Sequence, residues 1–283
     1  MANIRRSPIW PNPRVKPPFG AAQINWGHPL AQGLTAVVLL NEGAGRPYNL
    51  LTGQIATFTN TPTWGISPAG ILLASDATND RWDLGPSDAV GPSGPLIGTT
   101  SATMAVIRKK RDATNRDSVL CGVTLTLGAD QVYRCQTHCP WGDGVVYFDF
   151  GGYGGANRIS ASGLSFSGQQ AWVFVAGTRG SVFYQNGILR ASQTTAITRT
   201  SSANVFTVNP TPGDATLGDL DDISLVILSQ REWTQAEVLW WQAEPYAFLQ
   251  PVIRRRWFVP TAAGAPTGGV VTPRSLGLLG VGA

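Results

Sequence analysis

The sequence predicts an all-β protein, specifically a two-sheet antiparallel jelly-roll sandwich with one short helix towards the C-terminal end. Short runs of apolar and β-branched residues recur along the chain, and Gly, Pro, Asn or Asp interrupts nearly every pair of runs, as is typical of sandwiches and jelly rolls. The 283 residues include 33 Gly and 20 Pro but only four Glu and three Lys. This composition favours turns and leaves little material for exposed helices.

The clearest local signal is a β-hairpin at Asn186-Gly187. Two strand-like runs, 172–176 and 181–185, precede this dipeptide, and Ile188-Leu189-Arg190 follows it. Asn and Gly both tolerate the positive φ angles of a type I′ turn, so the pair predicts two antiparallel strands. The other predicted strands are residues 34–40, 54–58, 71–74, 103–108, 119–127, 131–135, 145–150, 204–208 and 223–228.

One helix is predicted over residues 234–244. Thr234 and Glu237 have the spacing of a capping box, and Trp233 and Val238 that of a hydrophobic staple. Pro245 ends the helix because it lacks an amide donor and disfavours helix at the preceding residue. Within the helix, Leu239 and Trp240 are expected to face the sheet.

Charge and composition divide the chain into an arm (1–29), a body (30–260) and a low-complexity tail (261–283). The arm is rich in Pro, which favours extended structure, but it also carries aromatic residues. We therefore expect it to become ordered against a neighbour or along its own body. Residues 1–29 and 245–283 are basic without acids, although the net charge is only +4. The ends are expected to meet an acidic partner, or else to be solvated tails.

No secretory signal or membrane-spanning run is evident in the sequence, so we expect no membrane contact. The three cysteines, Cys121, Cys135 and Cys139, are too few for a disulfide scaffold. Free, largely buried thiols from a reducing compartment are expected.

Three segments resemble, in order and spacing, those of laminin-G-like or concanavalin-A-like jelly rolls. Residues 33–45, with Asn41-Glu42-Gly43-Ala44-Gly45, resemble the opening strand and turn. The central hairpin of these folds is resembled by residues 172–177 with 184–189. Their late strand is resembled by Asp221-Asp222-Ile223, and a short helix follows it here as in the family. The resemblance spans about residues 33–244 and implies a sandwich that binds glycans or serves as a structural module.

The two ends resemble those of structural proteins from tailed bacteriophages, in which basic, aromatic extensions flank such a jelly roll. This resemblance implies a virion component made in the host cytoplasm: a capsid decoration, head-fibre or tail protein. Its terminal extensions would attach it to other virion proteins, and by analogy it would be a symmetric homo-oligomer such as a trimer. The alternative is a carbohydrate-binding adhesin module that contacts host-surface glycans.

The predicted partner-binding residues are the aromatic and basic side chains of the extensions. Burying one aromatic side chain contributes about 1.5–3 kcal/mol, and arginines pair with carboxylates in bidentate fashion. These residues are Trp10, Phe19, Trp26, Arg254, Arg255, Arg256, Trp257 and Phe258. Nucleic acid is not expected as a partner, because the body lacks a large basic surface.

The predicted glycan-binding residues are Trp82, Trp141 and Tyr153, which lie in polar or Gly-rich segments. An aromatic ring on such a loop can stack on a sugar, but it can equally cap the end of a sandwich or pack at a subunit interface.

A rim calcium site is implied by the laminin-G-like resemblance, with Asp221 and Glu42 as its ligands; otherwise no cofactor is expected. The acidic residue usual in the neighbouring turn is replaced by Asn49 here. The alternative is that such acidic residues only stabilise turns through hydrogen bonds. A zinc site at Cys135, His138 and Cys139, with Cys121, is the less favoured interpretation of that cluster, and buried thiols are preferred.

No enzymatic activity is expected. Glycoside hydrolysis needs two carboxyl groups that flank the scissile bond. The acidic strand motif of jelly-roll glucanases does not occur, and only pairs of aspartates remain, for example Asp143 with Asp149.

Overall fold

The computed structural model describes residues 10–67, 70–75, 77, 80–86, 96–123, 132–152, 154–201, 205–209 and 219–252. In this part of the chain the fold is nearly all β, with one α-helix, α1 (Gln235–Ala243), and two short 3₁₀ helices, Pro29–Ala31 and Gly155–Asn157. The strands are β1 (Ala22–Ile24), β2 (Leu34–Val38), β3 (Thr57–Thr59), β4 (Thr63–Ser67), β5 (Gly70–Ala74), β6 (Arg81–Pro86), β7 (Ala102–Lys110), β8 (Cys121–Val123), β9 (Cys135–His138), β10 (Val146–Phe150), β11 (Arg158–Ala161), β12 (Gln169–Gly177), β13 (Gly180–Gln185), β14 (Ile188–Gln193), β15 (Val205–Val208), β16 (Asp221–Ser229) and β17 (Leu249–Pro251).

The described strands form two large antiparallel sheets, which confirms the predicted jelly-roll sandwich. A seven-stranded sheet has the order β11-β10-β9-β8-β15-β6-β3. An eight-stranded sheet has the order β14-β13-β12-β7-β16-β5-β4, with β2 also paired to β16. Strands β1 and β17 form a separate two-stranded sheet.

The main hydrophobic core lies between the two large sheets. Its largest side chains include Trp82, Phe148, Phe174 and Phe206, all almost fully buried. Strand β10 shows how the sequence builds this layer: Val146, Phe148 and Phe150 enter the core, while the residues between them point the other way. The outer face of the seven-stranded sheet is therefore polar in this region.

A second core covers the outer face of the eight-stranded sheet. Val37, Val173 and Leu225 from the sheet pack with Trp241 of α1 and with Phe248, which directly precedes β17. The molecule thus has three layers, and one of the two large sheets has its outer face covered by the helix, the arm and β17.

Helix α1 begins at the predicted capping box. The Thr234 hydroxyl accepts a hydrogen bond from the Glu237 amide (3.3 Å), and the Thr234 amide donates to the Glu237 carboxylate (2.8 Å). The prediction that Leu239 and Trp240 face the sheet is wrong, because they are 48% and 39% exposed. Val238 and Trp241, three residues apart on one helix face, are buried there instead.

The Asn186-Gly187 turn is confirmed, with φ angles of 51° and 73° at its two central residues. Strands β13 and β14 pair across it, Gln185 opposite Ile188. The Asn186 side-chain oxygen also accepts from the Ala171 amide (2.9 Å), which ties the turn to β12.

The described part of the arm packs along its own body, which is one of the two arrangements expected from the sequence. Strand β1 pairs with β17, and the Trp10 amide donates to the Leu249 carbonyl (3.0 Å). Lys16 is buried against carbonyl groups of the eight-stranded sheet. Residues 10–29 therefore belong to the folded body. No helix in the described residues has the length and apolar character needed to cross a membrane.

Candidate functional site

Three adjacent strands place a cluster of polar side chains on the outer face of the seven-stranded sheet. Tyr147 of β10 lies opposite His138 of β9, and Asp149 lies opposite both Gln136 and Arg158. Because side chains alternate along a strand, all five project from the same face. We call this cluster, together with Arg134 and Trp141, the outer-face platform.

Asp149 is the electrostatic anchor of the platform. Its carboxylate is fully buried and accepts hydrogen bonds from Arg158 Nε (2.5 Å), Arg158 Nη2 (2.7 Å) and Arg134 Nη1 (2.8 Å). Burial alone would raise the pKa of Asp149, but the hydrogen bonds and positive charge of Arg158 outweigh it and hold the pKa at about 2. The carboxylate is therefore charged near neutral pH and fixes the position of Arg158.

His138 is held in one orientation beneath the surface. Its Nδ1 lies 2.9 Å from the Ser118 carbonyl, which can only accept, so Nδ1 carries the proton. Its Nε2 can then accept from the Gln136 side-chain amide at 3.2 Å. The Gln136 side-chain oxygen is buried and accepts no hydrogen bond from any described residue.

Two half-exposed aromatic rings flank His138 and form the surface of the platform. Trp141 and Tyr147 approach the imidazole edge-on, with ring centroids at 4.5 and 6.3 Å. The Arg158 guanidinium lies over the Tyr147 ring at 4.6 Å, a cation–π contact. The Tyr147 hydroxyl donates to Asp143 (2.7 Å), so its ring is held from two sides.

The position of Trp141 follows from the tight turn between β9 and β10. The Trp141 amide donates to the Val145 carbonyl (2.8 Å), and the Gly144 amide donates back to Trp141 (2.9 Å). Gly144 has a φ of 81°, which favours glycine. The Gly142 amide is bound by the Asp117 carboxylate (3.1 Å), so the turn that carries Trp141 is fixed at several points.

The three residues predicted to bind glycans differ in where the structure places them. Trp141 lies on the platform, and Tyr153 lies outside the described residues. The prediction for Trp82 is wrong, because its ring is 0% exposed in the core between the sheets. Its segment is the start of β6 rather than a loop, and alternation along that strand turns Trp82 and Leu84 inward.

The two predicted calcium ligands have other partners. The Asp221 carboxylate is fully buried and forms an ion pair with Arg108, whose Nη1 lies 2.6 Å away. Glu42 accepts from the Tyr48 amide (3.2 Å), and Lys16 supplies a positive charge near it. The Lys16 ammonium donates to the carbonyls of Ile71 (2.5 Å) and Ser224 (2.6 Å). These contacts occupy one oxygen of each carboxylate, whereas Asp221 Oδ1 and Glu42 Oε2 are buried without a hydrogen bond in the described part of the chain, and the calcium site stays a prediction.

The cysteine cluster contains buried thiols, as preferred from the sequence. All three cysteines are buried and form no disulfide with one another, and burial raises the pKa of Cys121 to about 12. Cys135 and Cys139 lie in the core, whereas His138 projects from the opposite face of β9. Thiols and imidazole therefore do not converge, and the described residues contain no metal-binding group of His, Cys, Asp and Glu.

The predicted partner-binding residues of the arm lie on the body with different exposure. Phe19 and Trp26 are 60% and 56% exposed. Trp10 is only partly exposed and packs against the second core, where its indole donates to the Val15 carbonyl (3.1 Å). The others, Arg254, Arg255, Arg256, Trp257 and Phe258, lie outside the described residues.

No family model matches the chain, and no curated protein matches its sequence. Solved structures nevertheless share its fold. The sialidase of Trypanosoma rangeli in complex with sialic acid matches over 76% of this chain and 33% of its own, with a TM-score of 0.55 and 12% identity. This chain thus spans about a third of the sialidase.

Two further similar structures are separate domains. Domain 4 of AbnA, a GH43 extracellular arabinanase from Geobacillus stearothermophilus in complex with arabinotriose, matches over 77% of this chain and 98% of its own (TM-score 0.52, 12% identity). The binding domain of Paraclostridial Mosquitocidal Protein 1 matches over 74% and 52% (TM-score 0.54, 10% identity). At such identities these likenesses show the fold alone.

Proposed function

We propose that this protein is a carbohydrate-binding module and that the outer-face platform is its binding site. The observation that carries the proposal is the pair of half-exposed rings, Trp141 and Tyr147, beside hydrogen-bonding groups held by a buried carboxylate. Two structures with this fold, the sialidase and the arabinanase domain, are complexes with sialic acid and arabinotriose. They support a sugar as the ligand class.

The platform has the groups that a sugar surface requires. The Trp141 and Tyr147 rings offer apolar faces to the C–H side of a pyranose or furanose ring. The Arg158 guanidinium donates to sugar hydroxyls, and the Asp143 carboxylate accepts from them. Asp149 fixes Arg158 and Asp143 fixes Tyr147, so little side-chain entropy is lost on binding.

Binding is a better proposal than hydrolysis for this face. A glycosidase needs one carboxyl group that can donate a proton. Asp149 is fully buried between two arginines and its pKa is about 2, so it holds no proton to donate near neutral pH. Asp143 is already bonded to the Val145 amide and the Tyr147 hydroxyl.

Replacing Trp141 with alanine should weaken oligosaccharide binding at least tenfold, since the change removes one of the two stacking faces. The measurement is a glycan array, followed by calorimetric titration of the best binder with arabinotriose and sialic acid as defined probes. Tyr147→Ala should also weaken oligosaccharide binding.

Trp240→Ala is the matched control, because this tryptophan is 39% exposed in the helix layer, away from the platform. It should bind sugars as the unchanged protein does. Equal affinity of the Trp141→Ala protein and the unchanged protein, or no glycan bound on the array, would contradict the proposal.

The second candidate function is a subunit contact in an assembly, the role predicted from the sequence for a tailed-phage virion component. Three exposed apolar residues of the layer over the eight-stranded sheet favour it: Trp26, Leu239 and Trp240, at 56%, 48% and 39% exposure. Clustered apolar exposure is typical of protein contact surfaces. In a capsid or tail assembly, such residues would be covered by a neighbouring subunit.

For this second candidate, the full chain should sediment as a homo-oligomer, and the double change Trp26→Ser with Trp240→Ser should shift it to monomer. Sedimentation velocity measures the shift. Ile66→Ser is the control, because Ile66 is 89% exposed on strand β4, outside the helix layer. A monomeric unchanged protein at the highest soluble concentration would argue against this role.

A further inference from the structure

A cleft of about 180 Å³ lies on the opposite side of the molecule from the platform, where the β12–β13 hairpin meets the start of helix α1. Val175 and Val182 contribute aliphatic surface, and Tyr184 and Trp233 contribute aromatic surface. The volume is below the range of about 300–1,000 Å³ that suits drug-sized ligands, so the cleft fits a small molecule.

The cleft is rich in hydrogen-bond donors that the protein leaves unused. Tyr184 is 5% exposed, and its hydroxyl has no hydrogen bond within the described part of the chain. Trp233 is 2% exposed, and its indole N–H is buried without a hydrogen bond in the part of the chain that the structure describes. Burial raises the pKa of Tyr184, which keeps its hydroxyl protonated. A ligand that enters here must therefore supply acceptors.

Arg179 adds a fixed positive charge at the rim. Its Nε lies 2.6 Å from Glu232 Oε2, and its Nη2 donates to the Glu232 carbonyl (3.3 Å), which leaves Nη1 available. The Glu232 carboxylate is fully engaged, because its other oxygen accepts from the Thr178 amide (2.7 Å) and hydroxyl (2.9 Å). Glu232 therefore orients Arg179, and each of its carboxylate oxygens already accepts a hydrogen bond.

We propose that this cleft binds a small organic monocarboxylate, whose carboxylate pairs with Arg179 and Tyr184 while its apolar body lies on Val175 and Val182. A guanidinium and a hydroxyl make charge-assisted hydrogen bonds to a carboxylate. The aliphatic and aromatic surface of the cleft disfavours a fully hydrated inorganic ion. The site is separate from the platform and does not rest on the proposed carbohydrate binding.

Benzoate is the probe, and benzyl alcohol, which has the same ring without the charge, is its control. The readout is the indole N–H signal of Trp233 in a ¹H–¹⁵N spectrum, assigned with a Trp233→Phe protein. Benzoate should shift this signal with a dissociation constant of about 1 mM or tighter, as ligands of this size reach. Benzyl alcohol should leave it unchanged at the same concentration.

Arg179→Gln should weaken benzoate binding about tenfold, and Tyr184→Phe, which keeps the ring and removes only the hydroxyl, should weaken it severalfold. Arg190→Gln, at an exposed arginine on β14 outside the cleft, is the matched control and should bind as the unchanged protein does. The proposal is overturned if the Trp233 signal does not move with benzoate, if benzyl alcohol moves it equally, or if both cleft variants bind benzoate normally.

Discussion

Replacing Arg108 with methionine should lower the free energy of unfolding by about 3–5 kcal/mol, because removing one partner of a buried ion pair leaves the other charge uncompensated. The Arg108 side chain is 0% exposed and lies 2.6 Å from the Asp221 carboxylate, which is equally buried. Asp219 lies 3.9 Å from the same guanidinium and is bound by Lys110 at 2.5 Å. Methionine would fill a similar volume but remove the direct partner of Asp221, whose pKa burial already raises to about 6, so this buried carboxyl would lose its ion pair and take up a proton.

Urea unfolding of the unchanged and Arg108→Met proteins at pH 7 measures this loss of stability. Arg111→Met is the matched control, since Arg111 is 40% exposed and lies 3.6 Å from Asp222. An exposed pair of this kind contributes about 0–1 kcal/mol. The double change Arg108→Met with Asp221→Leu should regain part of the stability, because apolar packing can replace a buried pair. A loss below 1 kcal/mol in the single variant would be inconsistent with a structural role for this pair.

The elements that the sequence predicts best depend on local interactions. The Asn186-Gly187 turn needs only two residues that tolerate positive φ, and the start of α1 needs only the reciprocal bonds of Thr234 and Glu237. Strand β9 shows the opposite case. The prediction ended a strand at Cys135, whereas the structure begins one there. Pairing with β8 and β10 decides this position, and that pairing is not a local property.

The platform could not be predicted as a cluster, because its members lie on separate strands. Asp149 meets Arg134 and Arg158 only through the register of β9, β10 and β11, which no local pattern specifies. The alternation of polar and apolar residues in β10 was the available signal, since it places Tyr147 and Asp149 on one face.

The same alternation would have corrected the prediction for Trp82. Arg81 and Asp83 are polar, while Trp82 and Leu84 are apolar, and this is the pattern of a half-buried strand. Local polarity suggested a loop, and a loop tryptophan would have been exposed. The tertiary structure instead uses it as one of the largest side chains of the core.

The second large effect is expected at Asp149, where Asp149→Asn should lower stability by about 2–3 kcal/mol near neutral pH. Burial raises the pKa of this carboxyl, but the hydrogen bonds and charge of Arg158 lower it by more, to about 2. An aspartate in the unfolded chain has a pKa of about 3.9. A shift of this size corresponds to about 2–3 kcal/mol of pH-dependent stability.

The sign of the pH dependence distinguishes this charge from a packing effect. Because the pKa is lower in the folded state, the stabilisation is fully present above about pH 5 and is lost as the pH falls from 4 to 2. The stability difference between the unchanged and Asp149→Asn proteins should therefore be constant from pH 5 to 8 and shrink below pH 4. Urea unfolding over this pH range measures the difference, and a constant difference down to pH 2 would contradict the charge argument.

The same variant connects stability to the proposed binding site. Arg158 would no longer be held in place by a carboxylate, so its position over the Tyr147 ring would be lost and oligosaccharide binding should weaken. Asp222→Asn is the matched control, because Asp222 lies on the eight-stranded sheet, away from the platform, and its pair with the exposed Arg111 at 3.6 Å contributes about 0–1 kcal/mol. If Asp149→Asn loses stability but binds the sugar normally, the anchored position of Arg158 is not required, and stacking on Trp141 and Tyr147 alone carries recognition.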